Sequence, residues 1–223
     1  LNPTNCDTAT VTVTIGASLI VATDDNYGTV NGYTGNTNLG NAITANDSLA
    51  LAPLTVSLVT TTVLSPATPI NGGPIPSLNT TTGIVSTPAG TPAGMYMIDY
   101  EICEIANLSN CDTATITLDV IPPVILAVDD NYTGDGRLGV PNLGNAFLEN
   151  DKLNGGTVDT LKISANILSS ATPINGAPVP LLDTITGVVS LPPGTPEGVY
   201  TIEYRICEDL NPGNCDTAIV TVT

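Results

Sequence analysis

The chain repeats itself, and the repeat constrains everything else. NCDTAT occupies Asn5–Thr10 and again Asn110–Thr115, and NCDTAI occupies Asn214–Ile219. Whole blocks return at a spacing of 104 to 105 residues. ATDDNY (Ala22–Tyr27) returns as AVDDNY (Ala127–Tyr132), and NLGNAITANDSL (Asn38–Leu49) as NLGNAFLENDKL (Asn142–Leu153). SPATPINGGPIP (Ser65–Pro76) returns as SSATPINGAPVP (Ser169–Pro180), and GTPAGMYMIDYEICE (Gly90–Glu104) as GTPEGVYTIEYRICE (Gly194–Glu208). A repeat this long is one foldable unit with its own core. The phase predicts two units, 16–120 and 121–223. Residues 1–15 match the last strand of each unit, so they read as the tail of a preceding repeat in a longer tandem array.

Local pattern fixes the fold class. In Thr8–Ile15, Ala9, Val11, Val13 and Ile15 alternate with Thr. Period two with β-branched residues means a half-buried strand. DTATITLDV and DTAIVTVT repeat that strand. Another alternating strand precedes each, with Tyr96, Ile98, Tyr100 and Ile102, or Tyr200, Ile202, Tyr204 and Ile206, on one face. Leu19–Thr23, Leu54–Leu64 and Gly83–Ser86 are further strand candidates. No helical period stands out. The Pro-rich stretches Pro66–Pro76 and Pro173–Pro180 cannot be central strands, because Pro has no N–H to give a ladder. The expectation is all-β: tandem Ig-like antiparallel β-sandwich repeats. Connections of a few residues, Gly16-Ala17-Ser18 and Ile121-Pro122-Pro123, would align them into an extended rod of roughly 40 Å per unit.

Charge and missing residue types exclude several functions. The net charge is −17, with Arg137, Lys152, Lys162 and Arg205 the only basic residues. That surface repels nucleic acid and anionic lipid. No run of about 18 apolar residues offers a membrane span. There is no His and no Trp, so His-based acid–base chemistry and His-ligated zinc are out. The carboxylates lie in repeated turns or on strand faces, without a nucleophile–base pair, so no enzymatic activity is expected.

The five Cys residues fall into a pattern. Parity places Cys103 and Cys111 on one outer face of the hairpin made by the last two strands, as it does Cys207 and Cys215. A disulfide in each hairpin follows, and Cys6 would then pair with a Cys eight positions upstream in the preceding repeat. Disulfides imply an oxidising, extracellular setting.

Two further constellations stand out. Asp24, Asp25, Asn46 and Asp47, with their counterparts Asp129, Asp130, Asn150 and Asp151, offer hard oxygen ligands for calcium, which takes six to eight oxygens. The plainer reading is that they cap turns, with Tyr27 and Tyr132 in the core. The low aromatic content weighs against sugar binding, which uses exposed stacking platforms.

GTPAGMYMIDYEICEIANLSNCDTATITLDV resembles the repeats of giant surface adhesins of gliding Bacteroidota. AVDDNY followed by ENDKL resembles cadherin-like and Ig-like bacterial adhesin repeats. The resemblance implies type IX export, an outer-membrane-associated surface filament, and adhesion to external surfaces or polysaccharide, or gliding over them. It also implies O-glycosylation at Asp-Thr/Ser-apolar sites: Thr8, Ser48, Thr113, Thr160, Thr184 and Thr217. The sequence departs from antibody-type domains, whose disulfide joins two sheets around a Trp, and from the cadherin arrangement of calcium ligands in the linker. A structural segment of a long fibre leads. A binding module and a spacer in a secreted enzyme are the rivals. Lateral contact between copies through Thr faces and strand edges stays open.

Overall fold

A computed structural model of the chain describes residues 4–223. The first unit contains ten strands: β1 (Ile20–Val21), β2 (Asp25–Asn31), β3 (Asn36–Asn41), β4 (Ser48–Leu49), β5 (Ala52–Pro53), β6 (Val59–Ser65), β7 (Ser77–Leu78), β8 (Ile84–Thr87), β9 (Gly94–Glu104) and β10 (Cys111–Ile121). The second repeats the set: β11 (Ile125–Leu126), β12 (Asp130–Tyr132), β13 (Val140–Asn145), β14 (Lys152–Leu153), β15 (Gly156–Thr157), β16 (Ile163–Ser169), β17 (Leu181–Leu182), β18 (Val188–Leu191), β19 (Tyr200–Glu208) and β20 (Asn211–Val222). Each unit has a four-stranded sheet, β2-β10-β9-β6 or β12-β20-β19-β16. Its partner sheet has three strands, β3-β8-β7 or β13-β18-β17, and a three-stranded patch, β1-β4-β5 or β11-β14-β15, accompanies them.

The alternating strands bury the expected face. Tyr96, Ile98, Tyr100 and Ile102 from β9 meet Ala114, Ile116, Leu118 and Val120 from β10 in one core. A separate core holds Tyr200, Ile202, Tyr204, Ile206, Ala218, Val220 and Val222. The Pro-rich stretches run outside the ladders. Only the second half of the Leu54–Leu64 candidate is a strand. Val56–Leu58 form a 3₁₀ turn, and Leu54 is buried ahead of it.

Two expectations are corrected. The sheets are not wholly antiparallel: β2 runs parallel to β10, and β12 parallel to β20. Within the four-stranded sheet, a first strand parallel to the last admits the chain at one end of the sandwich and releases it at the other. Residues 8–15 are the second case. They form no ladder among the described residues, and Val11, Val13 and Ile15 are 85%, 75% and 88% exposed. Their counterparts Ile116, Leu118 and Val120 are buried because β10 lies between β2 and β9. The described chain supplies no third pair of such neighbours. Residues 1–3 of that expected strand lie outside the described residues.

Candidate functional site

The predicted acidic residues do gather, but around a phenol. β9 carries Tyr100 into the core with its hydroxyl toward the start of β2 and the turn before β4. That hydroxyl lies 3.2 Å from Asp25 Oδ2, 3.2 Å from Asp47 Oδ2 and 3.3 Å from the Ala42 carbonyl. All three side chains are buried. Tyr204 repeats the arrangement, 3.0 Å from Asp151 Oδ2 and 3.4 Å from Asp130 Oδ2. A phenol has one proton and can donate to only one carboxylate at a time. The second carboxyl group reaches the hydroxyl well only by bringing a proton of its own. Burial favours that proton, pushing Asp25 and Asp47 up to about 6 against the Tyr100 hydrogen bond, which opposes the rise. Asp130 and Asp151 are likewise raised by burial to about 6. The same burial, with the two carboxylates beside it, drives the Tyr100 and Tyr204 phenols far up.

The remaining residues of the constellation bond to backbone, while Asn150 Oδ1 is buried without a hydrogen-bond partner among the described residues. Asp24 Oδ1 accepts the Thr115 N–H at 2.8 Å, and Asp129 Oδ1 the Ile219 N–H at 2.8 Å. Asp47 Oδ1 accepts the Thr23 N–H at 2.8 Å. The Asn46 amide donates to the Thr23 and Asp24 carbonyls at 3.1 and 3.2 Å. Asn150 does the same for Val128 and Asp129, both at 3.2 Å. This is a pin that fastens a turn to the four-stranded sheet. Among the described residues, the one group of three close metal-ligand side chains is Glu101, Cys103 and Cys111. Its two sulfurs are joined to each other.

In its two later copies the NCDT motif proves to be a fastener built from its Asn, Cys and Asp. Cys103 and Cys111 are directly opposite in the ladder and form a disulfide, as do Cys207 and Cys215. Asn110 donates to the Ser18 carbonyl and to Glu104, both at 2.8 Å. Asp112 accepts the Thr113 N–H with one oxygen and the Ala22 N–H with the other, both at 2.9 Å. Asn214 and Asp216 repeat this, reaching the Pro123 carbonyl and the Ala127 N–H. The motif ties the incoming chain to the last strand. Sequence reasoning missed this role, and the recurrence of Asn and Asp around each Cys was its signal. Cys6 is exposed.

The acceptor-like hydroxyls divide. Thr8, Thr113 and Thr217 are exposed, whereas Ser48, Thr160 and Thr184 are partly buried.

A second place of interest is the joint between units. Lys162 Nζ lies 4.7 Å from the centroid of the Tyr33 ring, a cation–π contact. Asn31 donates to Asn154 Oδ1 at 2.9 Å. Asn71 donates to the Leu210 carbonyl at 2.9 Å, and the Ala93 N–H to Asn211 Oδ1 at 2.7 Å. The disulfide-closed hairpin tip of unit two therefore sits on the end face of unit one. A cleft of about 360 Å³ lined by Tyr33, Gly90, Lys162 and Leu210 lies between them.

No protein-family model matches the sequence, and no curated protein matches it. Among solved structures, the chain is similar to the human desmocollin-1 ectodomain at 15% identity and TM-score 0.34, covering 93% of this chain and 41% of that one. It is similar to the protocadherin gamma-B4 extracellular domain at 10% identity and TM-score 0.34, covering 92% of this chain and 34% of that one. A fragment of Drosophila N-cadherin matches at 11% identity and TM-score 0.32, covering 93% and 67%. The chain thus spans less than half of the first two chains.

Proposed function

We propose that this chain is a structural segment of a long extracellular filament that serves adhesion. The observation that carries this reading is the joint: two near-duplicate sandwiches meet end to end through side chains of both. The parallel first and last strands of the four-stranded sheet give each unit an inlet and an outlet at opposite ends, as a linear array needs. A disulfide in each unit fits an oxidising compartment outside the cell. Among the described residues no helix is long and apolar enough to cross a membrane.

The part played is spacing and not catalysis. The buried carboxylates are closed in around Tyr100 and Tyr204 and offer substrate no access. Near-duplicate units serve length better than a unique site. Anchoring at an outer membrane, type IX export, gliding, glycan attachment at Thr113 and Thr217, and a distal surface or polysaccharide target belong to the same reading. They rest on the resemblance of the sequence to Bacteroidota adhesins.

Electron microscopy of the native protein sheared from its source cells tests it. Long particles with an axial period of one unit are expected. Short or globular particles would overturn the fibre and leave these units as spacers in a smaller secreted protein.

A further inference from the structure

The far end of unit two presents the same face that unit one uses to hold its neighbour. In unit one the Gly32 carbonyl accepts the Gly90 and Thr91 N–H groups at 2.8 and 3.1 Å, and in unit two Gly136 accepts those of Gly194 and Thr195 at 2.7 and 3.1 Å. The Tyr96 hydroxyl donates to the Pro92 carbonyl at 2.9 Å, and Tyr200 to Pro196 at 2.9 Å. Asn71, which holds the Leu210 carbonyl, has φ 48°, and its counterpart Asn175 has φ 52°. Glu197 stands where Ala93 gives its N–H to Asn211. On unit one this face is covered by a hairpin tip. On unit two it is an open cleft of about 400 Å³, lined by Arg137, Gly194, Thr195, Glu197 and Thr223 among others.

We infer that the end face of unit two is a seat for the disulfide-closed hairpin tip of a further repeat of the same build. The Asn175 amide donates to a backbone carbonyl of the tip, and the Glu197 N–H donates to the tip Asn at the position of Asn107 and Asn211. These bonds come from features that both units share, so they set a common register. The rim differs. Tyr33 receives Lys162 in the occupied joint, but unit two carries Arg137 at that position, with Asp135 3.9 Å away. Arg137 repels a lysine and accepts a neutral or acidic residue there. The first unit's own residue at that place is Leu58. The seat therefore takes repeats in general while its rim selects which one follows.

The inference rests on the tandem reading, but its test is separate. A second copy of residues 15–120 added after Thr223 keeps the spacing between units. Amide hydrogen exchange is then compared with that of the 223-residue chain, with the Ala93 N–H as the occupied reference in both. The Glu197 N–H is expected to slow by at least about tenfold on extension, because a hydrogen-bonded amide exchanges only on opening. Asn107→Ala in the added copy alone should reverse this, and Leu58→Lys in that copy should weaken it. Slow exchange of the added copy's own β9–β10 ladder reports that it has folded. Unchanged exchange at Glu197 beside a folded third unit would overturn the seat, whatever the native filament length proves to be.

Discussion

At the scale of single residues, the two buried carboxyl–tyrosine pins dominate. Asp25, Asp47, Asp130 and Asp151 hold protons more tightly when folded than when unfolded, each raised from 3.8 to about 6. Their contribution to stability is fully present below about pH 4 and is lost as pH rises through about 6. Since self-repulsion of a net charge of −17 acts in the same direction, the pins are isolated by comparison. Asp47→Asn with Asp151→Asn keeps an oxygen for the Thr23 and Val128 N–H groups and supplies a permanent donor to each phenol. The variant should show a flatter fall in urea midpoint between pH 4 and 6 than the parent, with a gain on the order of 2 kcal/mol at pH 7. An equally steep fall would rule the pins out as its source. Tyr100→Phe removes the shared donor and should cost about 1–3 kcal/mol at pH 7, read from the same unfolding curves. Periodicity shows that Tyr100 points inward. It does not show what the hydroxyl meets, because Asp25 and Asp47 are 75 and 53 residues away in sequence.

At the scale of elements, the small β4–β5 hairpin distinguishes the two units. Its two-residue loop is Ala50-Leu51 in unit one, with φ 53° and 64°, and Asn154-Gly155 in unit two, with φ 53° and 77°. Asn-Gly suits this left-handed pair and Ala-Leu does not. Ala50→Asn with Leu51→Gly should therefore stabilise unit one by about 1–2 kcal/mol, seen as a rise in its thermal midpoint. An unchanged or lower midpoint would mean that the exposed Leu51 has a compensating contact. The β9–β10 hairpin was the most legible element. Strict alternation fixed its buried face and set both thiols of each pair on the other. Replacing Cys103 and Cys111 together by Ser should cost about 2 kcal/mol, because the closed loop is short. The short edge strands, and the parallel pairing of β2 with β10, were illegible, since two-residue ladders have no period and pairing direction leaves no mark on alternation. The Asp112 clamp was hidden for a related reason: its partner Ala22 lies 90 residues away.

At the scale of the whole molecule, the joint decides whether two sandwiches act as beads or as a rod. Tyr33, Lys162, Asn31, Asn71 and Asn211 bridge it. Tyr33→Ala with Asn71→Ala should loosen the joint without unfolding either unit. Small-angle scattering should then show a broader distribution of end-to-end distances, while both units keep their unfolding free energies to within about 0.5 kcal/mol. An unchanged distribution would assign the alignment to the Pro122-Pro123 linker instead.

The parallel pairing of β2 with β10, and of β12 with β20, has a mechanical consequence. In the fibre proposed above, tension along the axis would load each four-stranded sheet where the chain enters it and where the chain leaves it. Because β2 and β10 run side by side in the same direction, opposed tension makes them slide past each other. The bonds of their ladder then share the load and must fail together, whereas a pair of strands peeled from one end would lose them one at a time. Asp24 and Asp112, which tie that incoming segment to β10 at Thr115 and Ala22, lie along the same line of force. Each unit is thus braced against tension applied between its two ends.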